Sequence, residues 1–211
     1  MRINTNLNAM IATNQMSKNT ALAGSSMEKL STGLRITKAG DDAAGLAVSE
    51  KMRAQIRGME QAERNVQDGI SMVQTAEGAL EEAGNIAQRM RELGVQAGND
   101  TLSNEDKSKV KEELLQLQDE MKKISEETKF NGKQLLNAAG TFTIQAGANS
   151  ETRTVKTADL SSIAKNIGLT SSTNISSSSD AQSFVTKVDD ALKAINSARS
   201  DLGAMQNRLE Y

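Results

Sequence analysis

Asp41 and Asp42 follow Gly40 and lie three and four residues beyond Lys38, in the stretch LSTGLRITKAGDDAAGLAVSEKMR between Leu30 and Arg53. Two adjacent carboxylates beside a lysine are residue types suited to acid–base work or to holding a divalent cation. The nearby glycines also raise the question of a phosphate-cradling loop. The GxxxxGK[ST] spacing is absent, however, and no strand precedes the stretch. The chain has no histidine and no cysteine. It therefore lacks the commonest general base, the commonest metal ligand, every thiolate and every disulfide. A lone carboxylate pair without nucleophile, base or cofactor loop is a weak sign of catalysis. The simpler reading makes Asp41 or Asp42 the cap of a helix beginning at Ala43, where the helix dipole favours an anion. Gly33 and Gly40 then supply permissive backbone on either side. The stretch reads as a hinge in a protein that is not an enzyme, with no catalytic, cofactor-binding or metal residue assigned.

The remaining charges point the same way. The 25 basic and 27 acidic residues leave a net charge of −2, and the bases are scattered instead of gathered on one face, which argues against nucleic acid. Arg35, Lys38, Lys51 and Arg53 are most simply solvated, or paired with carboxylates on neighbouring chains. A membrane-binding helix would need a larger positive excess, and no window approaches the roughly 20 apolar residues of a span. The start, MRINTNLNAMIATNQMSKNTALAG, has no continuous apolar run and is not a cleaved secretory signal. The lack of cysteine fits an extracellular setting.

The elements that must position the hinge are long helices. Aromatics supply only 2% of the chain, Phe130, Phe142, Phe184 and Tyr211, so Leu, Ile, Val, Met and Ala must form thin helix-on-helix seams in place of a thick core. Residues 1–40 carry a weak apolar stripe (Ile3, Leu7, Met10, Ile11, Leu22, Met27, Leu30) in a polar block. Alone they are expected to be disordered and to become helical only when packed. From Ala43, residues Met52, Ile56, Met59, Val66, Ile70, Val73 and Leu80 follow a heptad. Ala83, Ile86, Met90, Leu93 and Ala97 resume it three residues out of step, a stammer. Unbroken, that helix would be about 80 Å long. Gly98-Asn99-Asp100 ends it, and Ser103 with Asp106 opens a second helix carrying Val110, Leu114, Leu117, Met121, Ile124 and Thr128.

Asn131-Gly132 marks a turn, followed by a short helical turn over Gln134–Asn137. TFTIQAGANS and TRTVKTADL predict a β-hairpin near 141–160, with Phe142 and Ile144 against Val155. A serine-rich link covers 171–179, and Ser179 with Gln182 caps a third helix bearing Val188, Ala191, Ile195, Ala198, Leu202, Met205 and Leu209. That seam reaches Tyr211 without a stop signal, which reads as truncation. The fold class is thus mainly α: an elongated antiparallel helical bundle or coiled coil over 41–211, capped at one end by the hairpin and the serine link.

Five motifs now carry a family resemblance. MRINTNLNAM resembles the amino terminus of bacterial flagellin, and LSTGLRITKAGDDAAGLAVSEKMRAQIRG resembles the junction between its inner and outer helical domains. QRMRELGVQAGNDT, FNGKQLL and SARSDLGAMQNRLEY follow in the family's order. Only about 146–179 lies outside the similarity, which is with the short flagellins of Gram-positive bacteria. The resemblance implies a subunit of the extracellular flagellar filament, exported without a cleaved signal peptide through the flagellar type III export machinery. Its implied partners are other flagellin subunits, hook-associated and cap proteins, and a host Toll-like receptor. Residues 1–40 would form the inner-domain helix and spoke. Gly33, Arg35, Gly40, Asp41 and Asp42 would form an elbow and subunit contact. The family's receptor motif matches at Arg89, Leu93 and Glu113, although spacing alone makes Leu93 a seam residue; both readings stand open. The family continues past QNRLEY, so the chain is expected to be truncated at its carboxy-terminal end. The competing class is a helical secretion-tip or scaffold adaptor.

Overall fold

Asn6 opens the first helix, α1 (Leu7–Thr32): its side-chain oxygen accepts the Ala9 N–H at 3.2 Å, satisfying one of the orphan donors of the first turn. Gly33, at φ 68°, ends the helix in the left-handed region. The structure is a computed structural model that describes residues 6–170, 175 and 177–211. The chain divides into two units, Met1–Arg57 and Gly58–Tyr211.

In the first unit no residue of α1 is buried. Its large apolar side chains, from Leu7 at 55% to Leu30 at 80%, stay open to solvent. Helix α2 (Ala43–Ala97) begins in this unit and continues into the second. Met52, Ile56 and Met59, expected on a packed seam, are instead 59%, 51% and 51% exposed. Heptad spacing tells which residues share a stripe, not whether a partner covers it. Burial along α2 starts at Ala62.

The core belongs to the second unit. Val73, Leu80, Ala83, Ile86, Met90, Leu93 and Ala97 are all buried, so the seam crosses the predicted stammer without losing its inward face. The turn after Ala97 leads to α3 (Asn104–Glu127), whose start is the predicted capping box. Ser103 Oγ accepts the Asp106 N–H, and the Asp106 carboxylate accepts the Ser103 N–H, each at 3.2 Å. Val110, Leu114 and Met121 are buried, with Leu117 and Ile124 packed against them.

Two short strands follow, β1 (Lys129–Phe130) and β2 (Lys133–Gln134), paired antiparallel. Asn131 and Gly132, both at positive φ (48° and 78°), form the two-residue loop between them, the backbone signature of a type I′ turn. Gln134 is therefore a strand residue, and the helical turn expected over Gln134–Asn137 is replaced by this pair. Strands β3 (Gly140–Gln145) and β4 (Thr152–Thr157) make the predicted hairpin, with Phe142 opposite Val155. Ile144 faces Arg153 across the ladder and not Val155. It turns instead to α2 at Gly69, where even a Cβ would overlap its Cδ1.

The second strand was expected to reach Leu160 but stops at Thr157. Asp159 caps a helix unread in the sequence, α4 (Leu160–Ile167), by accepting the Ser162 N–H at 2.8 Å. Within the serine-rich link, Ser171–Asn174 and Ser176 lie outside the described residues. Ile175 is buried at 3% exposure. Ser178 and Ser179 already belong to α5 (Ser178–Glu210). Its cap is Ser177 with Asp180, not Ser179 with Gln182, because the Ser177 hydroxyl donates to the Asp180 carboxylate at 2.7 Å and accepts that residue's N–H at 3.1 Å.

Helix α5 runs antiparallel to α2. Gly94 faces Phe184, Arg91 meets Asp189 at 2.7 Å, and Arg199 lies 3.9 Å from Glu77. This pairing corrects one expectation. The hairpin lies along α2 near Asn65 and Gly69, whereas the start of α5 lies by Gly94 and Gly98. The hairpin and the start of α5 therefore sit at opposite ends of the second unit, and α4 carries the chain part of the way between them.

Candidate functional site

Residues 33–42 join the end of α1 to the start of α2, and their side chains hold one another in a small polar lattice. Asp42 caps α2: its Oδ1 accepts the Gly45 N–H at 2.9 Å, and its carbonyl accepts the Leu46 N–H at 3.0 Å. Asp41 points elsewhere. Its Oδ2 accepts both the N–H and the hydroxyl of Thr37 at 3.3 Å, and Oδ1 lies 3.7 Å from Lys29 Nζ. Lys38 reaches back to Glu28 at 2.7 Å. Neighbouring residues of opposite charge at the end of α1 thus take opposite partners in the loop, which fixes its register. The two aspartates do not converge on a common point, and both serve the backbone as cap and turn.

Sequence reasoning placed Gly33, Arg35, Gly40, Asp41 and Asp42 in this hinge. The structure brings Asp41 and Asp42 into the lattice and gives Gly33 the left-handed φ that favours glycine. Gly40 stands in open space without a positive φ, and Arg35 is exposed with no hydrogen bond or ion pair among the described residues. The glycine that matters sterically is Gly45, where a Cβ would run into the Asp42 carboxylate and approach Ile36 Cδ1 to 2.8 Å. Glu28 and Lys29 were missed because a partner ten or twelve residues away leaves no local spacing signal, and Thr37, four residues from Asp41, was missed as well.

The lattice is electrostatically tuned. Hydrogen bonding from the Thr37 N–H, helped by Lys29, holds the Asp41 carboxyl below its ordinary 3.8. Hydrogen bonding to Glu28 raises the Lys38 ammonium above its ordinary 10.5. A lowered carboxyl pKa gives a contribution present above the ordinary value and lost as pH falls through the lowered one. The raised lysine contributes below 10.5 and fades as pH climbs through its raised value. The elbow is thus expected to stay intact from mildly acid to alkaline pH and to loosen below about pH 4. With α1 folded against its packing neighbours, Asp41→Asn should mimic acid at neutral pH by speeding exchange of the Thr37 amide proton several-fold, read by hydrogen exchange. High salt should weaken the two exposed ion pairs in the same way.

A second group of residues lies on the second unit. Arg89 on α2 donates through Nε and Nη2 to Glu113 Oε1 on α3, at 3.3 and 3.0 Å, and through Nη1 to Glu92 at 3.1 Å. These carboxylates raise the guanidinium pKa further. The pair is solvent-exposed and bridges two helices. Leu93, one turn along, is only 2% exposed and belongs to the core, so it presents no surface beside Arg89. Among the described residues, no three or more Asp or Glu side chains cluster to hold a metal. A groove of about 390 Å³ between α2, β1 and β3 holds only Asp68 and Lys133 as charged groups.

Capped helices, an elbow held by side chains, and apolar stripes facing solvent are the features of a helical structural subunit. A family model described as "Bacterial flagellin N-terminal helical region" matches residues 3–141. The chain is 50% identical to the flagellin of Halalkalibacterium halodurans, over all of this chain and 78% of that protein. It is 42% identical to the flagellin of Bacillus subtilis, over all of this chain and 80% of that one. Among solved structures, Bacillus cereus flagellin superposes with a TM-score of 0.61 at 35% identity, covering 70% of this chain and 85% of that chain. The chain belongs to the bacterial flagellin family: it is a structural subunit of the extracellular flagellar filament. The adaptor alternative is not favoured by any of these matches. Among the described residues, no helix is long and apolar enough to cross a membrane.

Proposed function

We propose that the open stripes of α1 and of the first turns of α2 are the surfaces on which copies of this chain close around one another, and that residues 33–42 set the direction in which each chain leaves the inner helix. The observation that carries this is α1 itself. Its seven large apolar side chains are 55–80% exposed. At 100° per residue, Leu7, Met10, Ile11 and Leu22 fall on one side, while Met16, Met27 and Leu30 fall on the other. A helix apolar on both sides is built to be surrounded. Residues 1–40 are unfolded in the free subunit on this reading and become helical as neighbours cover them, a state suited to passage through the type III export channel. Hook-associated and cap proteins would meet the same stripes at the two ends of the filament. Electron microscopy of the purified chain tests the reading: filaments support it, and a chain that stays monomeric under polymerising conditions, with or without filament seeds, rejects it.

The Toll-like receptor reading rests on the family resemblance and on the exposed Arg89–Glu113 pair. Arg89 offers a planar multidentate donor at the surface, and Leu93 supports it from beneath as packing. Arg89→Ala is expected to lower receptor activation at least about tenfold, the scale of an interface hot spot, with the melting temperature of the second unit unchanged. Unaltered activation by that variant removes the residue from the contact.

A further inference from the structure

Five of the chain's ten methionines stand in the open stripes. Met10, Met16 and Met27 on α1 are 55%, 69% and 68% exposed, and Met52 and Met59 on α2 are 59% and 51% exposed. They make up three of the seven large exposed apolar side chains of α1 and two of the four between Val48 and Met59. Four others are placed differently, with Met1 outside the described residues: Met72, Met90 and Met121 are buried at 7%, 0% and 0%, and Met205 packs against the core. With no cysteine in the chain, an accessible thioether is the side chain a two-electron oxidant reaches first. We infer that Met10, Met16, Met27, Met52 and Met59 are sulfoxidation sites through which peroxide withdraws the free subunit from filament growth. This rests on the self-assembly surfaces proposed above.

The chemistry needs only hydrogen peroxide. A thioether lone pair attacks one peroxide oxygen, so that the S–O bond forms as the O–O bond breaks. The departing hydroxide takes the proton carried by the delivered oxygen and leaves as water. Sulfur is oxidised to the sulfoxide and peroxide is reduced. A flexible apolar group becomes a polar acceptor, and a seam that closes over it must bury that acceptor without a donor. Methionines lie on both sides of α1, and at Met52 and Met59 they share the α2 stripe with Ile56, so every open face is affected. In the assembled filament the same sulfurs are covered. The order of events therefore matters: oxidant before assembly blocks growth, and oxidant after assembly does not.

The test treats the full chain with peroxide, removes the oxidant, and follows seeded growth by light scattering and electron microscopy while mass spectrometry maps the sulfoxides. Modification is expected at the five exposed methionines ahead of Met72, Met90 and Met121, with growth slowed at least about tenfold. Growth should return after treatment with the two methionine sulfoxide reductases, and preformed filaments should persist through the same dose. A chain substituted M10L, M16L, M27L, M52L and M59L should grow at similar rates with and without peroxide. If untreated chain grows and oxidised chain grows equally well, the inference falls alone. The same holds if growth stays blocked after complete reduction. If untreated chain never grows, the self-assembly surfaces fall and take the inference with them.

Discussion

Lysine at Leu7, Ile11 and Leu22 together is expected to abolish filament growth while leaving the second unit folded. The three side chains are 55%, 60% and 67% exposed and share one side of α1, and none belongs to the buried core. Their removal therefore takes no packing away from the monomer. In the filament each would be enclosed, and burying a Leu or Ile side chain is worth about 1.5–3 kcal/mol. Losing three such contacts amounts to at least about 4.5 kcal/mol, or about a thousandfold in the concentration needed for growth at about 1.4 kcal/mol per decade. Burying an unpaired ammonium adds a further cost. Sedimentation and electron microscopy read the growth, and circular dichroism melting reads the fold. Filaments forming at the wild-type concentration would falsify the assignment of α1 as an assembly surface.

Leu93→Ala carries the second large effect, and it acts on stability. Leu93 is 2% exposed in the same buried seam as Met90 and Ala97. Truncating a fully buried leucine costs about 2–5 kcal/mol, the transfer loss plus the cavity left behind. For a unit of this size that is roughly 5–15 °C in melting temperature. Arg89→Ala, four residues away, removes only the exposed ion pairs to Glu92 and Glu113 and should change stability by no more than about 0.5 kcal/mol. The two variants thus separate roles that sequence spacing left together. A loss of receptor response in Leu93→Ala that tracks unfolding marks a packing residue, and Leu93→Met, which conserves volume, should restore most of it. Equal melting temperatures for wild type and Leu93→Ala would contradict the burial.

Most of the helical architecture was legible because it repeats. Val188, Ile195, Leu202 and Leu209 recur every seven residues, and a period that long survives any local ambiguity. Ser103-Asp106 was readable because a capping box places both partners within one turn. What escaped depended on partners far away in sequence. The exposure of Met52 and Ile56 is a fact about missing neighbours, which no stripe encodes. Helix α4 is eight residues long, too short for a period to emerge, and its cap at Asp159 looked like the end of a strand. The elbow was legible as a hinge from Gly33, Asp41 and Asp42. Its locking pairs, Lys38 with Glu28 and Asp41 with Lys29, span ten and twelve residues and follow no helical or strand repeat. Leu93 showed the converse: its spacing already put it in the seam, while the family motif suggested a contact residue.

The bare backbone of α2 at Gly69 and Gly94 has a mechanical corollary. Ile144 from the hairpin and Phe184 from α5 seat in two notches that a Cβ would crowd, the latter at 2.9 Å from where one would stand. Axial sliding of either neighbour along α2 must first lift a bulky group out of its notch, so the layers are indexed like a detent and do not creep along a smooth ridge. Within the second unit the hairpin and α5 are thus held in axial register on α2, and alanine at Gly69 or Gly94 should loosen that register.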